Sequence, residues 1–441
     1  MAHVAYRSLA ALIVVPVALA VGGTQPMRTT ARTAPPRPQR TLADAIGTSS
    51  LPALTAAALR SNQLTSHAHA RVQRHYHHHR TATSTVNGPL LVIDQQGERS
   101  AQVQIGAGHD EILAVQGGAV RVVAKDLTVT CCGLGGLAPS PRGRYIAFSQ
   151  EHYYGKGSNG VDKPTTEGLW LVSANGGGLH RLLLPPPAAR LRNPVRYGDP
   201  LSIAPVAWSP DRYTLAYAVD LFTDTSISPD FARDTGIWLT RYDKRAPRQV
   251  FKLVSLATTA PSLNAACHGA IPTITALSWM PDGRTVVASA DCILPSAGPL
   301  QVVEAVMAVD TMTGKGRVLV TNGRDAAAAP TPGRITYVSG SLDIHGKGRT
   351  TLWVTDAQGQ HGRPLVIGQG VQGQIGSPTW SPDGQSIAYI TGQTAYKNTT
   401  TIRVVDVATG QIRTVLAADA PGLSSGGYFV RLAWMHTPIY I

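Results

Sequence analysis

The sequence predicts an all-β chain, a single β-propeller of four-stranded antiparallel blades. Three observations predict it. A turn string, Trp380-Ser-Pro-Asp-Gly, recurs in looser copies at intervals of about 50 to 70 residues. Each copy is followed by a second hairpin of alternating apolar residues. The two ends of the repeated region then read as complementary parts of one sheet, which would close a ring.

The string is clearest at Trp380, followed by Ile387-Ala388-Tyr389. Looser copies are Trp208-Ser-Pro-Asp with Leu215-Ala216-Tyr217, Trp279-Met-Pro-Asp-Gly with Val286-Val287-Ala288, and Pro139-Ser-Pro-Arg-Gly with Ile146-Ala147-Phe148. Degenerate copies are Pro330-Thr-Pro-Gly with Ile335-Thr336-Tyr337, and Ala433-Trp434 with Ile439-Tyr440. Proline presets φ for the second turn position, Asp bonds its own backbone, and Gly takes the positive φ before the next strand. The second hairpins run Gly168–Val172 to Leu179–Leu184, Gly236–Thr240 to Gln249–Val254, Val302–Asp310 to Gly314–Val320, Thr351–Asp356 to Pro364–Ile367, and Ile402–Val407 to Gln411–Val415. Two hairpins make a blade. A solenoid of the same strands would need polar capping repeats at its ends, and the sequence shows none.

The last copy, Val430–Ile441, stops after two strands. Pro89–Gly97 with Ala101–Ile105 supplies the missing hairpin, so both chain ends share one blade. Residues 106–133, with Ile112–Gln116, Val120–Ala124 and Leu127–Cys131, are long enough for a short further blade. The expected count is therefore seven blades, with six as the alternative.

The propeller takes up residues 89–441, and the remainder reads differently. Residues 9–22 form an apolar run after Arg7, short for a membrane span and suited to a signal-peptide core, with Ala18-Leu19-Ala20 as a cleavage site. Residues 1–22 are thus expected to be a signal peptide or a retained anchor, and the protein to be exported to the envelope or beyond. Residues 23–88 are rich in Thr, Pro, Arg and His and read as a disordered tether. Residues 1–88 hold nine Arg, no Lys and one acid (Asp44), so they carry +8 of the net +13. A basic tail beside a membrane suits anionic lipid or wall polymer, and the weakly charged propeller argues against nucleic acid. His67, His69, His75, His77, His78 and His79 could bind a transition metal weakly, but no Cys or carboxylate fixes a shell; a solvated tract is the reading, and no metal site is assigned.

Catalytic motifs are missing. There is no Gly-x-Ser-x-Gly elbow, no His-Glu-x-x-His and no phosphate loop ending Gly-Lys-Ser/Thr. No cofactor is implied. Asp211, Asp282 and Asp383 are turn formers first. Of the four cysteines, Cys267 and Cys292 flank one hairpin and are disulfide candidates; adjacent Cys131 and Cys132 read as small buried residues at a strand end.

The connections from second to third strand open around one end of the channel, and two are long, 150–167 and 220–234. They bring together His152, Tyr153, Tyr154, Lys156, Asp220, Phe222, Asp224, Asp230, Phe231 and Arg233. Exposed aromatics beside charges can stack on a sugar or grip a peptide; the other reading is that they merely pack on one another. The Asp spacing lacks the alternating oxygen ligands of a compact calcium loop.

The string apolar-x-Trp-Ser-Pro-Asp-Gly, then Ile-Ala-Tyr, then a Trp-containing or Val-Asp-x-x-Thr-Gly hairpin resembles the TolB-like (WD40-like) propeller repeat, best at 378–416 and 204–242. The resemblance implies an exported propeller that serves as an interaction platform. The small α/β domain that precedes the propeller in TolB has no counterpart in residues 23–88, and the hydrolase domain of prolyl-peptidase relatives is absent. The expected function is an exported, non-catalytic, monomeric binding scaffold that engages a protein or glycan at its mouth. The alternative is a propeller enzyme acting on polysaccharide or peptide through Glu151, Asp220 or Asp224, with two carboxylates about 5 to 10 Å apart.

Overall fold

The computed structural model describes residues 87–96, 109–125, 134–150, 168–184, 201–221, 234–268, 272–294, 301–341, 347–392, 400–420, 423 and 427–436. These residues form six four-stranded antiparallel sheets. Blade 1 is ordered β24 (Gly427–Trp434), β1 (Leu90–Gln96), β2 (His109–Gln116), β3 (Ala119–Ala124). Blade 2 holds β4 (Leu134–Pro139), β5 (Tyr145–Gln150), β6 (Gly168–Ser173) and β7 (His180–Leu183). Blade 3 holds β8 (Leu201–Trp208), β9 (Thr214–Leu221), β10 (Gly236–Arg241) and β11 (Arg248–Lys252). Blade 4 holds β12 (Thr273–Trp279), β13 (Thr285–Leu294), β14 (Gln301–Asp310) and β15 (Gly316–Thr321). Blade 5 holds β16 (Gly323–Ala328), β17 (Arg334–Ser339), β18 (Arg349–Asp356) and β19 (Arg363–Gln369). Blade 6 holds β20 (Ile375–Trp380), β21 (Ser386–Thr391), β22 (Thr401–Asp406) and β23 (Ile412–Ala417).

The count corrects the expected seven blades to six. Ile112–Gln116 and Val120–Ala124 do not start a blade of their own. They lie in β2 and β3 and complete the closure blade, because β1 pairs with β2 from Leu90↔Val115 to Gln96↔His109 while its other edge pairs with β24. Gly117 and Gly118, at φ 60° and 86°, turn β2 straight into β3. Two successive positive-φ residues make the turn whose twist suits a tight hairpin. The ring is therefore closed by one C-terminal strand and three N-terminal ones, not by two of each. The expected strands at Leu127–Cys131 and Ala101–Ile105, and Ile439-Tyr440, lie outside the described residues.

The repeated turns do what their chemistry requires. Asp282 Oδ1 accepts from the Arg284 and Thr285 N–H groups, both at 2.8 Å, and Asp211 Oδ1 does the same for Tyr213 and Thr214. Asp383 accepts from the Gln385 N–H (2.9 Å) and the Ser381 hydroxyl (2.6 Å). The residue after the Asp is left-handed: φ is 64° at Gly283 and 69° at Gly384, but 73° at Arg212, which a side chain disfavours.

Burial is organised between blades. Six hydrophobic clusters form, one at each blade–blade interface. The largest joins blades 3 and 4 and takes in a helical connection: α1 (Leu256–Thr259) and α2 (Pro261–Ala266) bury Leu256 and Leu263 there. Just beyond α2, Cys267 is disulfide-bonded to Cys292 on β13, with 5.8 Å between their Cα atoms, and both are buried. No helix among the described residues is long and apolar enough to cross a membrane.

Candidate functional site

The first strand of each blade lines the channel, and these inner strands are not regular. Pairing registers shift between Leu134 and Gly136, Ile203 and Val206, Ile274 and Ala276, Arg324 and Ala327, and Gly376 and Thr379. Each shift is a bulge that leaves backbone groups without a ladder partner. The bulged positions are Gly135, the cis Ala204-Pro205 pair, Thr275, Asp325 (φ 50°) and Ser377 (φ 49°). The bulges divide the channel into two ends. One faces the second-to-third-strand and inter-blade connections, the loop face. The other faces the Ser-Pro-Asp-Gly turns, the turn face.

At the loop end, side-chain oxygens of one blade accept backbone N–H groups from the inner strand of the next. Asp110 Oδ2 accepts from Leu134 (2.9 Å), Asp220 Oδ1 from Ile274 (3.3 Å), Thr350 Oγ1 from Ile375 (2.9 Å) and Thr400 Oγ1 from Phe429 (2.8 Å). All four acceptors are buried. Each satisfies a donor that the bulged strand would otherwise bury unpaired. Ser289 Oγ and Ser377 Oγ continue the pattern, accepting from Ala326 and Leu432, both at 2.9 Å. Glu304 pairs with Arg324 at 3.2 Å, and burial, the larger influence, still leaves its carboxyl above the ordinary range.

One side chain crosses the channel at the level of the bulges. Arg431, on β24 of blade 1, donates from Nε to Gly135 O of blade 2 (3.0 Å) and from Nη2 to Thr275 O of blade 4 (3.5 Å), with Nη1 3.8 Å from Asp325 of blade 5. Burial alone would raise the Asp325 carboxyl. Cationic neighbours, Arg431 and Arg324 among them, and the Ser377 N–H hold it below its ordinary value.

Towards the turn face the channel widens into a cavity of about 510 Å³, bounded by Gly135, Thr275, Asp325, Ser377 and Arg431 at its inner end. Its walls combine small residues, Gly136, Ala138, Ala207, Ala276, Ala327 and Ala433 among them, with larger ones such as Leu137, Val206 and Leu277. Its rim carries Pro141, Arg142, Pro210, Arg212, Pro281 and Pro330. Trp208, Trp279, Trp380 and Trp434 close the gaps between inner strands and are each at most 8% exposed. The Trp279 and Trp380 indole N–H groups donate to Ala207 O (3.3 Å) and Ala327 O (3.1 Å) of the preceding blade, and Trp434 to Gly88 O (2.8 Å). Trp279 and Trp380 thus join blade to blade, Trp434 bonds within blade 1, and the buried Trp208 indole N–H has no hydrogen-bond partner among the described residues.

Of the residues expected at a mouth, only Asp220 is described, on β9 rather than in the connection after it, with its carboxylate turned to the Ile274 amide. His152, Tyr153, Tyr154, Lys156, Phe222, Asp224, Asp230, Phe231 and Arg233 lie outside the described residues, as does Glu151. Among the described residues no three His, Cys, Asp or Glu side chains are grouped so as to hold a metal ion. Sequence reasoning passed over Arg431 and Asp325. Local signals existed: Gly135-Gly136, Pro205 and Ser377-Pro378 stand inside apolar strands, where Gly and Pro mark bulges. Arg431 is the one cation in the strand Tyr428–Trp434.

No known family model matches the chain, and no curated protein matches it. Solved structures do. It is similar to a putative TolB from Agrobacterium tumefaciens, at 15% identity and a TM-score of 0.44 over 80% of this chain and 94% of that one. It is also similar to an oligogalacturonate lyase in complex with manganese (14% identity, TM-score 0.40, 76% of each chain). An oligogalacturonate lyase from Vibrio parahaemolyticus gives 11% identity and a TM-score of 0.38 over 75% of this chain and 74% of that one. These likenesses are ones of fold. The β-propeller is the architecture that the TolB-like repeat implied.

Proposed function

We propose that the chain is an exported, non-catalytic binding propeller of the cell envelope that holds a protein or glycan partner at its loop face, through the connections 150–167 and 220–234. The observation that supports this reading is how three of the described carboxylates at that end of the channel are used. Asp110 and Asp220 accept backbone N–H groups of the next blade, and Glu304 faces Arg324. An acid turned to a structural amide holds the ring in shape and is poorly placed to trade protons with a substrate. A rigid scaffold carrying variable connections is the usual arrangement for recognition.

The test is capture from envelope extract by the full chain, beside a variant with Tyr153, Tyr154, Phe222 and Phe231 replaced by Ala. Retention of a defined partner by the parent, lost in the folded variant, is the expected result. Turnover of a polysaccharide or peptide by the purified chain, abolished by Asp220→Asn without loss of fold, would replace the binding reading by the enzymatic one.

A further inference from the structure

We propose that the turn-face cavity is a second binding site, one that takes a ligand bearing an oxyanion, a carboxylate or phosphate group, against the Arg431 guanidinium. It lies at the opposite end of the channel from the connections just discussed and rests on different residues, so the two readings stand or fall separately.

The cavity's lining stops at the bulged residues Gly135, Thr275, Asp325 and Ser377, and Arg431 spans the channel there from blade 1 to blades 2, 4 and 5. A guanidinium presents five N–H donors in a flat fork. Two are used by the Gly135 and Thr275 carbonyls, and the 3.8 Å to Asp325 is an ion-pair separation rather than a hydrogen bond. Both side chains line the cavity, and the arginine is the more exposed of the pair, at 19% against 5%. The fork can meet a carboxylate or phosphate in the two-bond geometry that makes arginine the usual receptor for such groups.

Size and shape agree with a small guest. A volume of about 510 Å³ falls within the ~300–1,000 Å³ usual for ligand pockets. The lining offers polar and apolar surface in nearly equal parts, which leaves room for a short organic chain behind the charged head. Arg142 and Arg212 stand on the rim, in turns of the face that also carries Asp211, Asp282 and Asp383. A fixed guanidinium at the inner end favours an anionic head group over a neutral one.

The experiment is calorimetric titration of the full chain with acetyl-trialanine carrying a free carboxylate, with the same peptide as its carboxamide, and with inorganic phosphate. Saturable binding of the acid, with the carboxamide weaker by about tenfold or more, is expected. Arg431→Met should abolish acid binding and Arg431→Lys should keep part of it. Phosphate bound in place of the acid, or displacing it, supports the same site and names phosphate as a head group; acid without phosphate restricts the head group to carboxylates. Equal binding of acid and carboxamide, binding of none of the three probes, or a folded Arg431→Met chain that binds like the parent would overturn the proposal. If Arg431→Met does not fold, the acid–carboxamide comparison on the parent chain decides alone.

Discussion

The two ends of the channel are built by different means. At the turn face the same few residue types return blade after blade: Trp208, Trp279, Trp380 and Trp434 between inner strands, and Asp211, Asp282 and Asp383 in the turns. At the loop end the job of joining blades falls to residues that do not repeat, an Asp in two blades and a Thr in two others, each accepting one backbone N–H from its neighbour. The repeated Asp residues hold hairpins whose chemistry is local, while Trp279 and Trp380 also reach the preceding blade. Unrepeated ones hold the ring, whose chemistry depends on which strand arrives next door. The turn end keeps an open cavity with the Arg431–Asp325 pair at its inner end, while at the loop end Asp110, Asp220 and Glu304 are engaged by neighbouring blades.

Substitutions should separate the two ends in a definite order of size. Trp380→Ala removes a buried indole from the blade 5–blade 6 interface, together with its bond to Ala327 O and its contact with Arg334. Urea unfolding should show a loss of about 3–5 kcal/mol. Asp220→Ala, at the loop end, strands the Ile274 amide and should cost about 1–3 kcal/mol, with Asn recovering part because its oxygen can still accept. If Asp220→Ala proved as costly as Trp380→Ala, the loop end would be carrying more of the ring than these bonds suggest. Arg212→Gly acts in the opposite direction. It relieves a left-handed residue, and after the entropic penalty of glycine it should gain up to about 1 kcal/mol, read as a higher urea midpoint with an unchanged slope.

Acid should loosen the turn end by small steps. The Asp211 and Asp383 carboxyls sit below their ordinary value: burial opposes their charge, but the Thr214 hydroxyl and N–H in one turn, and the Ser381 hydroxyl and Gln385 N–H in the other, outweigh it. Asp310 is held at about 2, chiefly by the Arg284 side chain. A carboxyl with a depressed folded pKa takes up its proton more readily when unfolded. Stability from these turns is therefore complete above about pH 4 and lost as the pH falls towards 2. A melting-temperature series should fall over that window, and Asp383→Asn should make it shallower.

How far the sequence could be read follows the same division. The hairpins were legible because Pro, Asp and Gly act within four residues of chain. Blade identity was not, at one place: Gly117-Gly118 joins β2 to β3, and only the pairing of β1 with both β2 and β24 shows that residues 109–124 finish the closing blade. Asp220, expected at a partner-binding mouth with catalysis as the alternative, bonds an amide 54 residues away, a contact that no local pattern encodes. Arg431 meets carbonyls and a carboxylate from three other blades, so its role exists only once the ring is closed.

The seven tryptophans allow the contrast between the ends to be read in one spectrum. Trp208, Trp279, Trp380 and Trp434 end the inner strands at the cavity, whereas Trp170, Trp238 and Trp353 lie on third strands, away from the channel. Indole N–H resonances of the labelled full chain should be assigned and followed as acetyl-trialanine is added. Shifts confined to the four inner indoles are expected if the turn-face cavity takes the peptide's carboxylate. Shifts confined to the three outer indoles, or none at saturating peptide, would contradict it.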